Sequence, residues 1–165
     1  SFRNAVHNPG RNNLYQVGEG YVLVDYGHNT DGFAAVSRMA SRWKEKTVTA
    51  IIGLPGDRDD RVIEEAAQVA ARGFDRVIVT EEVNLRGREP GEMAKLLCDA
   101  IERAKPESDC EIIPDEIEAF RKALTQMQKN EVVVIFYRQL ALIQEILAEN
   151  NAVPISSFEE NAAKK

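Results

Sequence analysis

One pattern constrains what this chain can fold into more than any other: short β-rich runs alternate with stretches of helical periodicity along most of its length. Residues 14–17 and 21–25 flank Gly18, Glu19 and Gly20 and read as a hairpin or a bent pair of strands. A helix is predicted over 29–44, with Phe33, Val36, Met39, Ala40 and Trp43 on one face and Asn29 or Thr30 as its cap. A buried-type strand over 48–52 leads to a helix over 59–72, and Gly73 suits a left-handed stop. The next strand is 76–80 and the next helix 89–105, with Pro90 in its first turn. A short peripheral strand at 110–113, a helix at 115–129, a central apolar strand at 132–136 and a last helix at 138–149 complete the series. Beyond Pro154 the chain turns polar and is expected to fray.

Strands alternating with helices imply right-handed crossover units around a mostly parallel sheet, an α/β, Rossmann-like fold flanked by helices. The 165 residues fit one domain of ordinary size, read as a start segment linking to a neighbouring domain over 1–12, the α/β domain over 13–150 and a polar tail over 151–165. Apolar residues at 44% suffice for a core. The formal net charge of -6 argues against a general nucleic-acid binder, which needs an excess of Lys and Arg to neutralise phosphates. A small anionic ligand stays open, because a local arginine cluster can oppose the global sign. Cys98 and Cys110 form no CxxC pair and stand apart from the histidines, so they read as packed thiols in a reducing compartment. No apolar run approaches the ~20 residues of a membrane span and no signal peptide is seen, so a cytoplasmic protein without a membrane partner is expected. The chain opens at Ser1 without methionine, inside a polar stretch, and is expected to be a piece of something longer.

Ligands of open α/β sheets bind beyond the carboxyl ends of the strands, so the loops leaving those ends matter most. After the strand at 21–25 come Tyr26, Gly27, His28 and Asn29. Asp25 at the strand end suits a ribose hydroxyl, His28 a base or a phosphate, and Asn29 can orient either; equally, Asp25 and Asn29 can simply cap the turn and the next helix. After 48–52 comes a loop with Gly53, Pro55, Gly56, Asp57, Arg58, Asp59, Asp60 and Arg61. Its fixed backbone path and the following helix start suit an anion or a carboxylate, although it has neither a GKS/GKT phosphate loop nor GxGxxG. After 76–80, Arg86 and Arg88 flank Gly87, and arginine suits bidentate recognition of carboxylate or phosphate. Both charged loops can also be read as solvated turns. His7 has no visible partner and reads as structural. No nucleophile elbow, HExxH or paired catalytic carboxylates are present, so no catalytic residue and no metal ligand is assigned.

Together these segments resemble the C-terminal domain of the Mur ligase family, ATP-dependent amide-bond ligases that include peptidoglycan precursor ligases, folylpolyglutamate synthase and cyanophycin synthetase. Pro9-Gly10-Arg11 resembles the family's start-of-domain turn. Val24-Asp25-Tyr26-Gly27-His28-Asn29 is similar to its Asp-Tyr-Ala-His-Asn-Pro motif, with Gly27 in place of Ala and Thr30 in place of Pro. Pro55-Gly56-Asp57-Arg58-Asp59-Asp60 resembles the Pro-Gly-Asp-Arg-Arg-Asp stretch of the cyanophycin synthetase branch, and Leu85-Arg86-Gly87-Arg88 with Gly91-Glu92 resembles a second stretch of that branch. The run from Val132 to Tyr137 fits as well, without the KGxxHE-like ending common in peptidoglycan ligases. The likeness covers residues 8–149.

The resemblance implies that ATP phosphorylates a carboxylate and that an incoming amine attacks the acyl phosphate. It implies that Arg11, Asp25, His28 and Asn29 face ATP, and that Asp57, Arg58, Arg86 and Arg88 line the side of the incoming amino acid. In the cyanophycin branch that amino acid is arginine and the acceptor is an acidic, aspartate-based chain; an arginine substrate calls for acids such as Asp57, Asp59, Glu81 or Glu82. The phosphate loop and most ligands of the accompanying Mg belong to an upstream domain of the same chain in this family, so these residues alone are expected to be catalytically inactive and to bind ATP weakly. The competing reading is a non-catalytic α/β module that binds a partner or a small anion. A receiver-like or thioredoxin-like domain fits poorly, for want of paired acids or a CxxC.

Overall fold

The computed structural model describes residues 13–27 and 29–158. Arg11 and His28, assigned above to nucleotide contact, lie outside the described residues, as does His7. The elements in chain order are β1 (Asn13–Val17), β2 (Gly20–Asp25), α1 (Thr30–Ala40), β3 (Thr47–Ile52), α2 (Asp60–Gly73), β4 (Arg76–Val79), α3 (Glu92–Ala104), β5 (Asp109–Ile112), α4 (Glu116–Thr125), β6 (Glu131–Phe136), α5 (Leu140–Glu149) and β7 (Val153–Ile155). The strands form one seven-stranded sheet in the order β5-β4-β3-β6-β2-β1-β7. The five from β5 to β2 are parallel, and β1 and β7 add an antiparallel margin. This is the α/β, mostly parallel architecture expected from the alternation.

Burial explains the strand compositions. β6 is inserted between β3 and β2 and is buried along its whole length, as its unbroken apolar run Val132-Val133-Val134-Ile135-Phe136 requires. Alternate residues of each strand feed two cores. Leu23, Ala50, Ile52, Val77, Val134 and Phe136 pack under α1, α2 and α3. Val22, Val24, Ile51, Ile78, Val133 and Ile135 pack under α4 and α5.

Three elements differ from the sequence reading for identifiable reasons. The first helix stops at Ala40, and Trp43 instead packs edge-on against Phe158 from the turn that follows. The third helix begins only after Gly91, whose positive φ of 86° breaks the path expected from Pro90. Residues 153–155 form an edge strand, so Ile155, the first residue expected to fray, is paired instead: Val153 and Pro154 pair with Gln16 and Tyr15, Ile155 with Leu14, and an outermost strand is where proline is tolerated. Cys98 on α3 and Cys110 on β5 are joined as a disulfide across a helix-to-strand return, with Cα atoms 6.0 Å apart, where the sequence suggested packed thiols. Among the described residues no helix is long and apolar enough to cross a membrane.

Two predictions follow from the packing. Phe120, on the inner face of α4, is fully buried, so Phe120→Ala should lower unfolding free energy by about 3–5 kcal/mol in denaturant titration; a loss under about 1 kcal/mol would mean that α4 does not seal this face. Glu111 on β5 bridges Lys122 of α4 and Arg76 of β4, the latter at 2.7 Å. The Lys122 hydrogen bond chiefly holds its carboxyl below the ordinary glutamate value, Arg76 adds to this, and partial burial opposes it. A depressed carboxyl stabilises the fold above its unfolded value and loses that contribution as pH falls through the folded one. The stability gap between wild type and Glu111→Gln should therefore be constant above pH 4.5 and shrink below it.

Candidate functional site

The strand order sets where a ligand can enter. From β3 the chain steps outward through β4 to β5, whereas β6 returns to lie between β3 and β2. The helix after β3 covers one face of the sheet and the helix after β6 covers the other. The crevice between the carboxyl ends of these neighbours is thus a topological switch point, the usual ligand position in such sheets. Four segments surround it: the turn after β2, the loops after β3 and β4, and the residues directly after β6.

At the end of β2, Asp25 is 9% exposed, and its Oδ2 accepts the Gly27 N–H at 2.9 Å. Its carbonyl accepts the Tyr137 N–H at 3.1 Å, which ties the turn to the end of β6. Asn29 caps α1 by accepting the Gly32 N–H at 2.8 Å, so the capping role foreseen for it is real. A Cβ on Gly27 would lie 2.9 Å from the Gly32 Cα, and one on Gly32 would lie 2.7 Å from the Gly27 Cα. The two glycines pack face to face, which explains why glycine replaces the motif's alanine at 27. Tyr26 stays 48% exposed, with its ring 6.0 Å from that of Tyr137.

The loops after β3 and β4 interlock. Arg88 donates from Nε to the Gly56 carbonyl at 2.7 Å, from Nη2 to the Arg58 carbonyl at 2.9 Å and from Nη1 to Glu92 at 2.6 Å. Asp57 pairs with Arg58 at 2.8 Å and with Arg86 at 3.2 Å. The four charged residues foreseen for the incoming-substrate side are therefore one cluster. Its loops approach so closely that a Cβ on Gly56 would stand 2.2 Å from the Leu85 carbonyl oxygen. Arg86 is held at a positive φ of 50°, beside Gly87 at 93°, in a turn whose Asn84 side chain accepts the Arg86 N–H at 3.0 Å. A bulky residue in the left-handed region is strained, and such strain gathers at ligand sites.

Two of the acids that suit an arginine substrate have structural duties. Asp59 caps α2 through the Val62 N–H, and Glu81 accepts the Gly91 and Ala94 N–H groups at the start of α3. Glu82 remains on the crevice side, and with it a residue that the sequence reading passed over. Arg138 is the second residue after β6; its Nε donates to Glu82 Oε1 at 3.0 Å, and its Nη1 lies 3.8 Å from Glu116. Glu116, only 4% exposed, accepts the N–H groups of Arg138 and Gln139 and so opens α5. Glu82 Oε2 and Arg138 Nη2 are buried without a hydrogen-bond partner among the described residues, a state that costs about 1–3 kcal/mol per group. Both residues line a cavity of about 520 Å³, together with Val83, Arg86 and Gln139. Inspection of the strand end, rather than of motifs, would have found Arg138: it was read as the first residue of a helix. Among the described residues no group of three or more His, Cys, Asp or Glu could hold a metal ion.

The chain matches the family described as Mur ligase, glutamate ligase domain, over residues 10–136, and it belongs to that family. It is 37% identical over 145 residues to the cyanophycin synthetase of Crocosphaera subtropica, covering 88% of this chain and 16% of that protein. The chain thus spans about a sixth of that relative's length. Its fold matches a solved UDP-N-acetylmuramoyl-L-alanyl-D-glutamate--2,6-diaminopimelate ligase with a TM-score of 0.68 at 21% identity, over 87% of this chain and 32% of the other. It also matches a bifunctional folylpolyglutamate synthase/dihydrofolate synthase of Yersinia pestis complexed with AMPPNP and Mn ion, with a TM-score of 0.58 at 17% identity, over 87% and 31% of the two chains.

The interlocked loops make a prediction of their own. Gly56→Ala should push the β3 and β4 loops apart and lower stability by about 1–3 kcal/mol, read by thermal unfolding. A variant as stable as wild type would show that the loops are not packed as described.

Proposed function

We propose that this chain is the C-terminal domain of a cyanophycin synthetase-like, ATP-dependent amide-bond ligase, and that it helps to bind ATP and to position an incoming amino acid, arginine, against an acidic acceptor. Membership of the family and the similarity to cyanophycin synthetase support the reaction class. The observation that carries the site is the convergence of two chemically distinct groups at one switch-point crevice: the Asp25 turn on the β2 side and the Asp57, Arg58, Arg86 and Arg88 cluster on the β3 and β4 side.

In this reading ATP transfers its terminal phosphoryl group to the acceptor carboxylate, and ADP leaves. The amine of the incoming amino acid attacks the acyl carbon, loses its proton and expels inorganic phosphate, which leaves an amide. Asp25, at its strand end, accepts from a hydroxyl of the nucleotide, and Asn29 fixes the start of α1 beside it. Arg11 and His28 complete the nucleotide side. Arg86 and Asp57 face the amino acid, while Arg58 and Arg88 hold the two loops in register. In this reading other domains of the parent protein would hold most of the ligands of the Mg that accompanies ATP. Without those domains the 165 residues should bind ATP weakly and turn nothing over.

The test is a pair of substitutions in the full-length parent, assayed with ATP, arginine and an aspartate polymer. Asp25→Asn should raise the KM for ATP about tenfold, the loss expected for one charge-assisted hydrogen bond, and leave the KM for arginine little changed. Arg86→Ala should do the reverse. Two variants that alter only thermal stability would remove the site assignment.

A further inference from the structure

Acids outnumber cations in this chain, whose formal net charge is -6, and its cations are readily taken up by carboxylates. Arg58, Arg86, Arg103, Arg121 and Lys122 all close ion pairs. The turn between α1 and β3 departs from this rule. It reads Arg42-Trp43-Lys44-Glu45-Lys46, three cations around one acid. Among the described residues none of these four charged side chains forms an ion pair. Arg42 and Lys44 are exposed. The Lys46 ammonium is held by rings instead, 4.8 Å from the centroid of Phe158 and 5.5 Å from that of Tyr21.

The same three cations line a cavity of about 650 Å³ between this turn and residues 156–158, which follow β7. Its apolar wall includes Met39, Trp43 and Phe158, the two rings edge to face at 5.6 Å. Lys46 directly precedes Thr47, the first residue of β3, so the cavity lies at the end of the sheet remote from the crevice. Its rim calls for an anion, but not for a lone phosphate. Phosphate sites use free backbone N–H groups at a helix start, whereas this is the end of α1, and the N–H groups of Ser41, Arg42 and Trp43 are spent on the carbonyls of Ser37, Met39 and Ala40. A nucleic acid would meet the net negative charge of the whole chain. Long-stemmed cations beside an aromatic wall complement a short peptide instead, with an apolar side chain against Trp43 and carboxylates on either side of it meeting Arg42 and Lys44.

We propose that this cavity docks an acidic peptide segment of another polypeptide, one whose carboxylates flank an apolar side chain. Trp43 and Phe158 supply the apolar contact, and Arg42, Lys44 and Lys46 select for negative charge. The inference goes beyond the ligase reading and does not depend on it, because the cavity and the crevice lie at opposite ends of the strands.

Trp43 is the single tryptophan of the chain, so its fluorescence reports on this cavity alone. The test is a fluorescence titration of the 165-residue chain with a capped Asp-Asp-Leu-Asp-Asp peptide, its Asn-Asn-Leu-Asn-Asn counterpart and inorganic tripolyphosphate. The aspartate peptide should change the Trp43 emission saturably by about 1 mM, and raising the ionic strength from about 0.05 M to about 0.5 M should weaken it. The asparagine peptide and tripolyphosphate should bind at least about fivefold more weakly. Arg42→Gln combined with Lys44→Gln touches only exposed side chains; it should weaken the aspartate peptide about fivefold while circular dichroism shows the fold intact. An aspartate peptide that changes nothing, an asparagine peptide that binds as well, tripolyphosphate that binds more tightly, or a folded double variant that binds like wild type would each overturn the proposal. So would an emission that shifts with protein concentration alone, which would assign the cavity to a second copy of the chain.

Discussion

The insertion of β6 between β3 and β2 is the constraint from which the rest of the structure follows. Its five apolar residues can be buried on both faces only in the middle of a sheet, and there they pair in parallel register with both neighbours. That placement sends the helices after β3 and β6 to opposite faces and opens the crevice at the strand ends. It also sets Tyr137 and Arg138 between the two groups of site residues: Tyr137 donates to the carbonyl of Asp25, and Arg138 pairs with Glu82 of the β4 loop. The site is a consequence of strand order before it is a consequence of any motif.

The energetics of the crevice favour rigid loops around a small reactive space. Helix starts are closed by carboxylates from neighbouring segments, Glu81 at α3 and Glu116 at α5, so the backbone donors there are already satisfied. Arg88 joins the β3 and β4 loops with two bonds to main-chain carbonyls, which makes it a brace within its own cluster. Among the described residues the buried side-chain atoms without a hydrogen-bond partner are few: Arg76 Nε on β4, and Glu82 Oε2 and Arg138 Nη2 beside the crevice.

The sheet was legible in the sequence because its signal is local. Apolar runs such as Val132 to Phe136 and helical faces such as Phe33, Val36 and Ala40 announce their own burial. The short strand at Val153 to Ile155 was not legible, since three residues that include a proline become a strand only when β1 offers its edge. The same division holds at the site. Asp25, Asn29, Asp57, Arg58, Arg86 and Arg88 stood out by motif and lie at the crevice, while Arg11 and His28 lie outside the described residues. Arg138 and Glu116 were invisible because their meaning depends on contacts 22 residues apart along the chain. The capping duties of Asp59 and Glu81 were likewise hidden among acids that looked equivalent.

The central claim is that nucleotide and amino acid meet this domain at the carboxyl ends of β2, β3, β4 and β6. Hydrogen exchange of the full-length parent, with and without a non-hydrolysable ATP analogue and arginine, measures it directly. The account predicts slowed exchange in residues 25–30, 82–88 and 137–139, and no change in residues 41–46 at the opposite end of the sheet. Protection confined to that opposite end, or absent from the crevice segments altogether, would contradict it.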